Sequence, residues 1–127
     1  MKSSQAKVLS TLGRFLFAIP FFVFGVLHLM KGPMMAGYVP AYIPGGVFWV
    51  YLVGVAFIAA SISILIHKMD ELATLLLGIL LLIFVVTLHI PGLLNAATMQ
   101  ATMGNFLKDT ALAGAAFFMS GALRGRK

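Results

Sequence analysis

Four uninterrupted apolar runs, roughly residues 9–30, 47–66, 72–90 and 106–123, take up most of this chain, and the segments joining them are too short to fold alone. Each run approaches the ~20 helical residues needed to cross the hydrocarbon core of a bilayer. Inside lipid, backbone N–H and C=O groups are satisfied only within helices or closed barrels. Runs that stay apolar, rather than alternating with polar residues, argue for helices. The pattern predicts an all-α integral membrane four-helix bundle with antiparallel neighbours, a single domain over residues 1–127.

Composition agrees with this. The chain is 61% hydrophobic and 9% charged, whereas a water-soluble domain carries about 25% charged residues. The net charge of +6 invites a nucleic-acid reading, but its placement argues otherwise. Lys2, Lys7 and Arg14 open the chain, Lys68 lies between runs two and three, and Arg124, Arg126 and Lys127 close it. With four crossings all of these share one side, and only Lys31 and Lys108 fall on the other. Positive residues collect on the cytoplasmic side. Both termini are therefore expected in the cytoplasm, with the chain multi-pass in a bacterial or archaeal cell (inner) membrane. The basic tail reads as a topology signal in contact with anionic lipid, not as a nucleic-acid patch.

The absence of cysteine excludes disulfides, cysteine-ligated clusters and thiol exchange by this chain itself. Run one is too long for the apolar part of a secretory signal, contains Pro20 and lacks a small-x-small cleavage site, so it reads as the first membrane helix.

Tyr38, Tyr42, Trp49 and Tyr51 are all the tyrosine and tryptophan of the chain, and such rings gather at the membrane–water interface. They lie in or just after loop 31–46, KGPMMAGYVPAYIPGG, which is broken by Pro40, Pro44, Gly45 and Gly46 yet too apolar for a solvated linker. The loop is expected to lie on or dip into the outer surface and cap the bundle; a greasy interfacial loop with no such role is an equal alternative. The five-residue turn His67–Glu71 makes helices two and three antiparallel neighbours. Pro91 and Gly92 are expected to stop helix three, leaving LLNAATMQATMGN as a second outer loop.

Ionisable groups in membrane helices are costly, so each is a functional candidate. Helix direction places His28 and His89 at similar outer depth, with Asn105, Lys108 and Asp109 entering from the same side. The 3.6-residue period sets Arg14, Phe21, Gly25 and His28 on one stripe. Thr74, Gly78, Val85 and His89 form a second, and Asp109, Ala113, Ala116 and Ser120 a third. His28, His89, Asn105, Lys108 and Asp109 are thus the expected ligand-binding set. A quinone head group suits them best, because its carbonyls want donors while its ring wants an apolar cleft, and histidine exchanges protons near neutrality. Two histidines alone are a thin signal for haem, and no metal site is expected. The alternative is that both histidines only hydrogen-bond across helices and hold the bundle. Arg14 is expected to be a structural anchor, reaching lipid phosphate or pairing with Asp70 or Glu71. His67 is expected to be solvated.

The strings GRFLFAIPFFVFGVLH and YVPAYIPGGVFWVYLVGVAFIAA resemble the DoxX family of small four-helix membrane proteins, most specifically in the YVP…IPG loop motif. The resemblance covers about the first three helices. It implies a link to membrane redox systems, since some relatives are subunits of a thiosulfate:quinone oxidoreductase, and many have no assigned activity. Similar sequences often carry an acid early in helix two, in a G-V-A-E context; here the stretch is Gly54-Val55-Ala56-Phe57, which puts any role for that carboxylate in doubt.

Two functional expectations follow. One is a quinone- or lipid-binding subunit that works with a membrane redox partner. The other is a non-enzymatic helper or assembly partner that packs against larger membrane proteins, using Gly114, Gly121, Ala111 and Ala115. Whether the chain is itself an enzyme, and whether it forms a homo-oligomer, stays open. A conduit is least supported, because charge is scarce along the middle of the helices.

Overall fold

Apolar side chains without polar interruption leave the backbone as the main source of hydrogen bonds, and each run satisfies its own by coiling into a helix. A computed structural model describes residues 1–125, among which there is no strand; Arg126 and Lys127, part of the expected topology signal, lie outside the described residues. Helix α1 spans Ser3–Met30, α2 Gly32–Met35 with a 3₁₀ turn Ala36–Tyr38, α3 Val47–Leu65 and α4 Asp70–Phe84. A π-helical segment, Val85–His89, joins α4 to α5, Ile90–Leu94, and α6 spans Met99–Gly125.

Three helical stretches are long and apolar enough to cross a membrane: Ser3–Met30, Val47–Leu65 and the continuous Asp70–Leu94. The 27-residue α6 is long enough, but Gln100, Asn105, Lys108, Asp109 and Arg124 dilute its apolar character, and it is not among the three.

The helices pack as two intimate pairs, α1 on α3 and α4 on α6, while α3 and α4 meet less closely. Glycine allows both close approaches. A Cβ at Gly25 would stand 2.7 Å from the Gly54 carbonyl oxygen, and one at Gly54 would stand 2.8 Å from the His28 Cβ. Backbones that cross this tightly gain van der Waals contact, which drives helix association in lipid. In the second pair the Phe117 ring lies where a Gly78 side chain would be, 2.8 Å from its Cβ position.

The core between the pairs comprises Ala18, Phe21, Phe57, Ile64, Leu77, Leu81 and Ala113. The ring centroid of Phe57 lies 5.3 Å from that of Phe21 and 6.2 Å from that of Phe84, both edge-on. Such tilted pairs are the geometry that aromatic quadrupoles favour. Most other large apolar side chains, Leu16 and Phe118 among them, point outward. Lipid accommodates such a surface where water would not.

Several boundaries differ from the sequence-based expectation, beginning with α1, which starts at Ser3 rather than near residue 9. Pro91 and Gly92 do not stop the third span; the helix runs on to Leu94. Proline removes an N–H and crowds the preceding turn. Here the π turn just before it, closed by the Ile90 N–H on the Val85 carbonyl, widens the coil and admits the ring. Gly92 is filled on its open side by the Thr102 side chain. The expected long second loop thereby shrinks to residues 95–98, because α6 starts at Met99. The turn between α3 and α4 is also shorter than expected, since α4 begins at Asp70. It reverses through left-handed backbone at His67 (φ 61°) and Met69 (φ 56°), with the Lys68 N–H bonded to the Ser63 carbonyl at 3.1 Å.

Candidate functional site

The polar groups that the helices carry gather at two levels, one at each end of the fold. At the end bearing loop 31–46, Asp109 is the hub. Its position on α6, on a face with Ala113, Ala116 and Ser120, turns it inward, and it is only 8% exposed. The π segment presents His89 to it, so that the Nε2–H donates to Asp109 Oδ2 at 2.6 Å. Single π turns often occur at functional sites, because the extra residue re-aims a side chain without ending the helix. Asp109 Oδ1 also lies 3.7 Å from Lys108 Nζ. Lys108 is about half exposed and stands over the Phe24 ring, 5.3 Å from its centroid, which brings α1 to the same place.

The five expected site residues do not converge as one set. Asp109 gathers His89 and Lys108. His28 instead turns back on its own helix, its Nδ1–H donating to the Phe24 carbonyl at 2.6 Å, with its ring edge-on to Phe57 at 5.4 Å. A carbonyl only accepts, so the His28 proton sits on Nδ1 and a neutral ring keeps a lone pair on Nε2. Asn105 is exposed on α6. A donor set of one imidazole–carboxylate pair and one lysine suits a carbonyl or hydroxyl head group better than it suits iron. Among the described residues no three His, Asp or Glu side chains cluster as a metal centre would need.

The opposite end holds a second network, centred on Arg14. It is 5% exposed and donates through Nη1 to the Ile64 carbonyl at 2.6 Å and to Asp70 Oδ2 at 3.0 Å. Asp70 Oδ1 in turn accepts from the Glu71 N–H at 3.0 Å, at the start of α4. An acidic group there also meets the positive end of the helix dipole. The Ser120 hydroxyl donates to the Glu71 carbonyl at 2.9 Å, and Arg124 lies 3.7 Å from the Glu71 carboxylate. Arg14 therefore pairs with protein rather than reaching for lipid phosphate, and the network ties α1, α3, α4 and α6 together. His67 is exposed in the adjoining turn.

Two apolar grooves are lined by none of the ionised groups of either network. One, of about 310 Å³, is a dent on the α4 and π surface between Ile79 and Thr87. The other, of about 290 Å³, runs between α3 and α4.

Sequence reasoning missed the Gly25–Gly54 crossing and the reach of the Arg14 network to Ile64 and Ser120, since backbone acceptors leave no mark in a sequence. At position 57, where an acid was sought, the buried Phe57 ring contacts Phe21, His28 and Phe84. Comparison with protein-family models, curated proteins and solved structures returns no match for this chain.

Proposed function

We propose that this chain is a DoxX-like inner-membrane protein that crosses the bilayer four times with both ends in the cytoplasm. Its role on this reading is to bind a quinone or lipid head group beside a membrane redox partner, at an outer site formed by His89, Asp109 and Lys108. The observation that carries this reading is the 2.6 Å contact between His89 and Asp109, next to the half-exposed Lys108.

The chemistry follows from the donors. The Asp109 carboxylate fixes the proton of His89 on Nε2 and leaves Nδ1 of the neutral ring as an acceptor. A ring held in this tautomer presents Nδ1 to a hydroxyl or a bound head group. Lys108 offers an ammonium donor to a carbonyl or phosphate oxygen. The fourth crossing is supported by the way α6 meets its polar cost, because Asp109 and Ser120 face α4 and the π segment rather than lipid.

Reporters fused to each terminus test the topology; both are expected to read cytoplasm, and opposite compartments would overturn it. Protein purified in mild detergent and extracted for mass spectrometry tests the ligand. His89→Ala and Asp109→Asn are each expected to lower co-purified quinone or lipid at least tenfold, with membrane insertion unchanged. Equal ligand content in wild type and both variants would remove the site.

A non-enzymatic helper is a second reading, favoured by one observation: nothing lies within 4 Å of a Cβ built on Gly114 or Gly121. That face of α6 is open to another helix. A stoichiometric protein partner, with no bound small molecule, would select this reading over the first.

A further inference from the structure

The groove between α3 and α4 plays no part in the site above, and its lining is unusual for a helix pair. On the α3 side it is floored by Ala56, Ala59, Ala60 and Ser63, and on the α4 side by leucines that end at Met69. Small residues would let two helices close together, yet these two meet less closely than α3 meets α1 or α4 meets α6. What remains is an apolar groove of about 290 Å³, open to the outside of the fold, since Ala56, Ala59, Leu72 and Leu76 in its lining are exposed.

The mouth of this channel is cationic. It ends at Ser63 and Met69, where residues 66–69 form the turn from α3 to α4. The Lys68 N–H is bonded to the Ser63 carbonyl at 3.1 Å, which holds the backbone of residue 68 beside the groove end. His67 stands beside it in left-handed backbone, and both are exposed. Lys68 makes no ion pair among the described residues. The nearby acids are taken up elsewhere, Asp70 by Arg14 and Glu71 by Arg124. A lysine without an acidic partner, one residue from the end of an apolar groove, complements one class of molecule.

We infer that the α3–α4 groove is a binding site for one anionic phospholipid, its phosphate at Lys68 and His67 and an acyl chain laid along Ala56, Ala59, Ala60 and Ser63. The site lies at the end of the fold opposite to His89 and Asp109 and does not depend on what those residues bind. It takes lipid from the leaflet that faces the α3–α4 turn. Its apolar floor distinguishes it from a patch that attracts any anion, because charge and channel act on the same molecule.

Native mass spectrometry of the full chain, titrated with phosphatidylglycerol or phosphatidylcholine, tests this. Wild type is expected to retain a single phosphatidylglycerol in preference to phosphatidylcholine. Lys68→Gln is expected to weaken phosphatidylglycerol retention about fivefold, the effect of one lysine near a charged membrane surface, and to leave phosphatidylcholine unchanged. Ala59→Leu, at an exposed position that fills the groove, is expected to lower retention of both lipids. Lys2→Gln, a charge change at the same end but away from the groove, is expected to change neither. Phosphatidylglycerol retention equal in wild type, Lys68→Gln and Ala59→Leu would overturn the site. So would equal loss from Lys2→Gln and Lys68→Gln, competition by glycerol phosphate alone, or a stoichiometric polypeptide seated in the groove. Circular dichroism of each variant, unchanged from wild type, separates loss of the site from loss of the fold.

Discussion

Asp70→Ala is expected to cost about 3–5 kcal/mol of stability, the usual penalty for leaving one member of a buried ion pair without its partner. Arg14 is 5% exposed and Asp70 6%, so neither has water to fall back on. The substitution strands a guanidinium whose other contact is the Ile64 carbonyl, and it removes the carboxylate that accepts from the Glu71 N–H. Denaturation in mixed detergent micelles, followed by circular dichroism, reads the effect. Arg14→Leu combined with Asp70→Leu is expected to recover most of the loss, because apolar replacement of both members removes the desolvation cost along with the attraction. A single variant within ~1 kcal/mol of wild type, the range of an exposed pair, would show that Arg14 and Asp70 do not clamp this end of the fold.

Gly54→Val is expected to separate α1 from α3. Its Cβ would lie 2.8 Å from the His28 Cβ and 3.0 Å from the Gly25 carbonyl oxygen, and neither atom sits at the end of a flexible side chain that can step aside. Overpacking of this kind costs ~1–3 kcal/mol and at times more, and a collision with backbone belongs at the upper end. Moving the two helices apart also displaces His28 from Phe57, so the disturbance extends into the aromatic core. Gly114→Ala is the matched control, since nothing lies within 4 Å of the added carbon; it is expected to melt with wild type. Equal melting of Gly54→Val and Gly114→Ala in detergent would disprove the close crossing.

Helix positions were readable from the sequence because continuous apolar runs allow little else in lipid. The third span shows where that logic fails. Pro91 carries a strong stop signal, yet a π turn absorbs it, and nothing in the local composition announces the change from one helical form to the other. The shared depth of His89 and Asp109 followed from the alternating direction of the helices. The separation of His28 from them did not, because its Nδ1 proton is satisfied by a carbonyl four residues earlier on its own helix. Arg14 was a candidate for Asp70 or Glu71 by proximity of the inner turn; only coordinates show the further bond to Ile64 and the parallel tie from Ser120 to Glu71. Glycines gave the weakest signal of all. Gly54 and Gly114 look alike in sequence, and only their neighbours make one indispensable and the other idle.

The wide turn before Pro91 also bears on how deep the third apolar stretch could sit in a bilayer. Proline offers no N–H to the turn behind it, so that turn, close to His89, has one donor fewer for its carbonyls than a regular helix supplies. Drawing an unpaired acceptor into hydrocarbon costs several kcal/mol, while water or head groups satisfy it readily. On the four-crossing reading proposed above, the segment would act as a depth gauge, because sinking it further into hydrocarbon would dry that turn and draw the His89 imidazole away from the head groups.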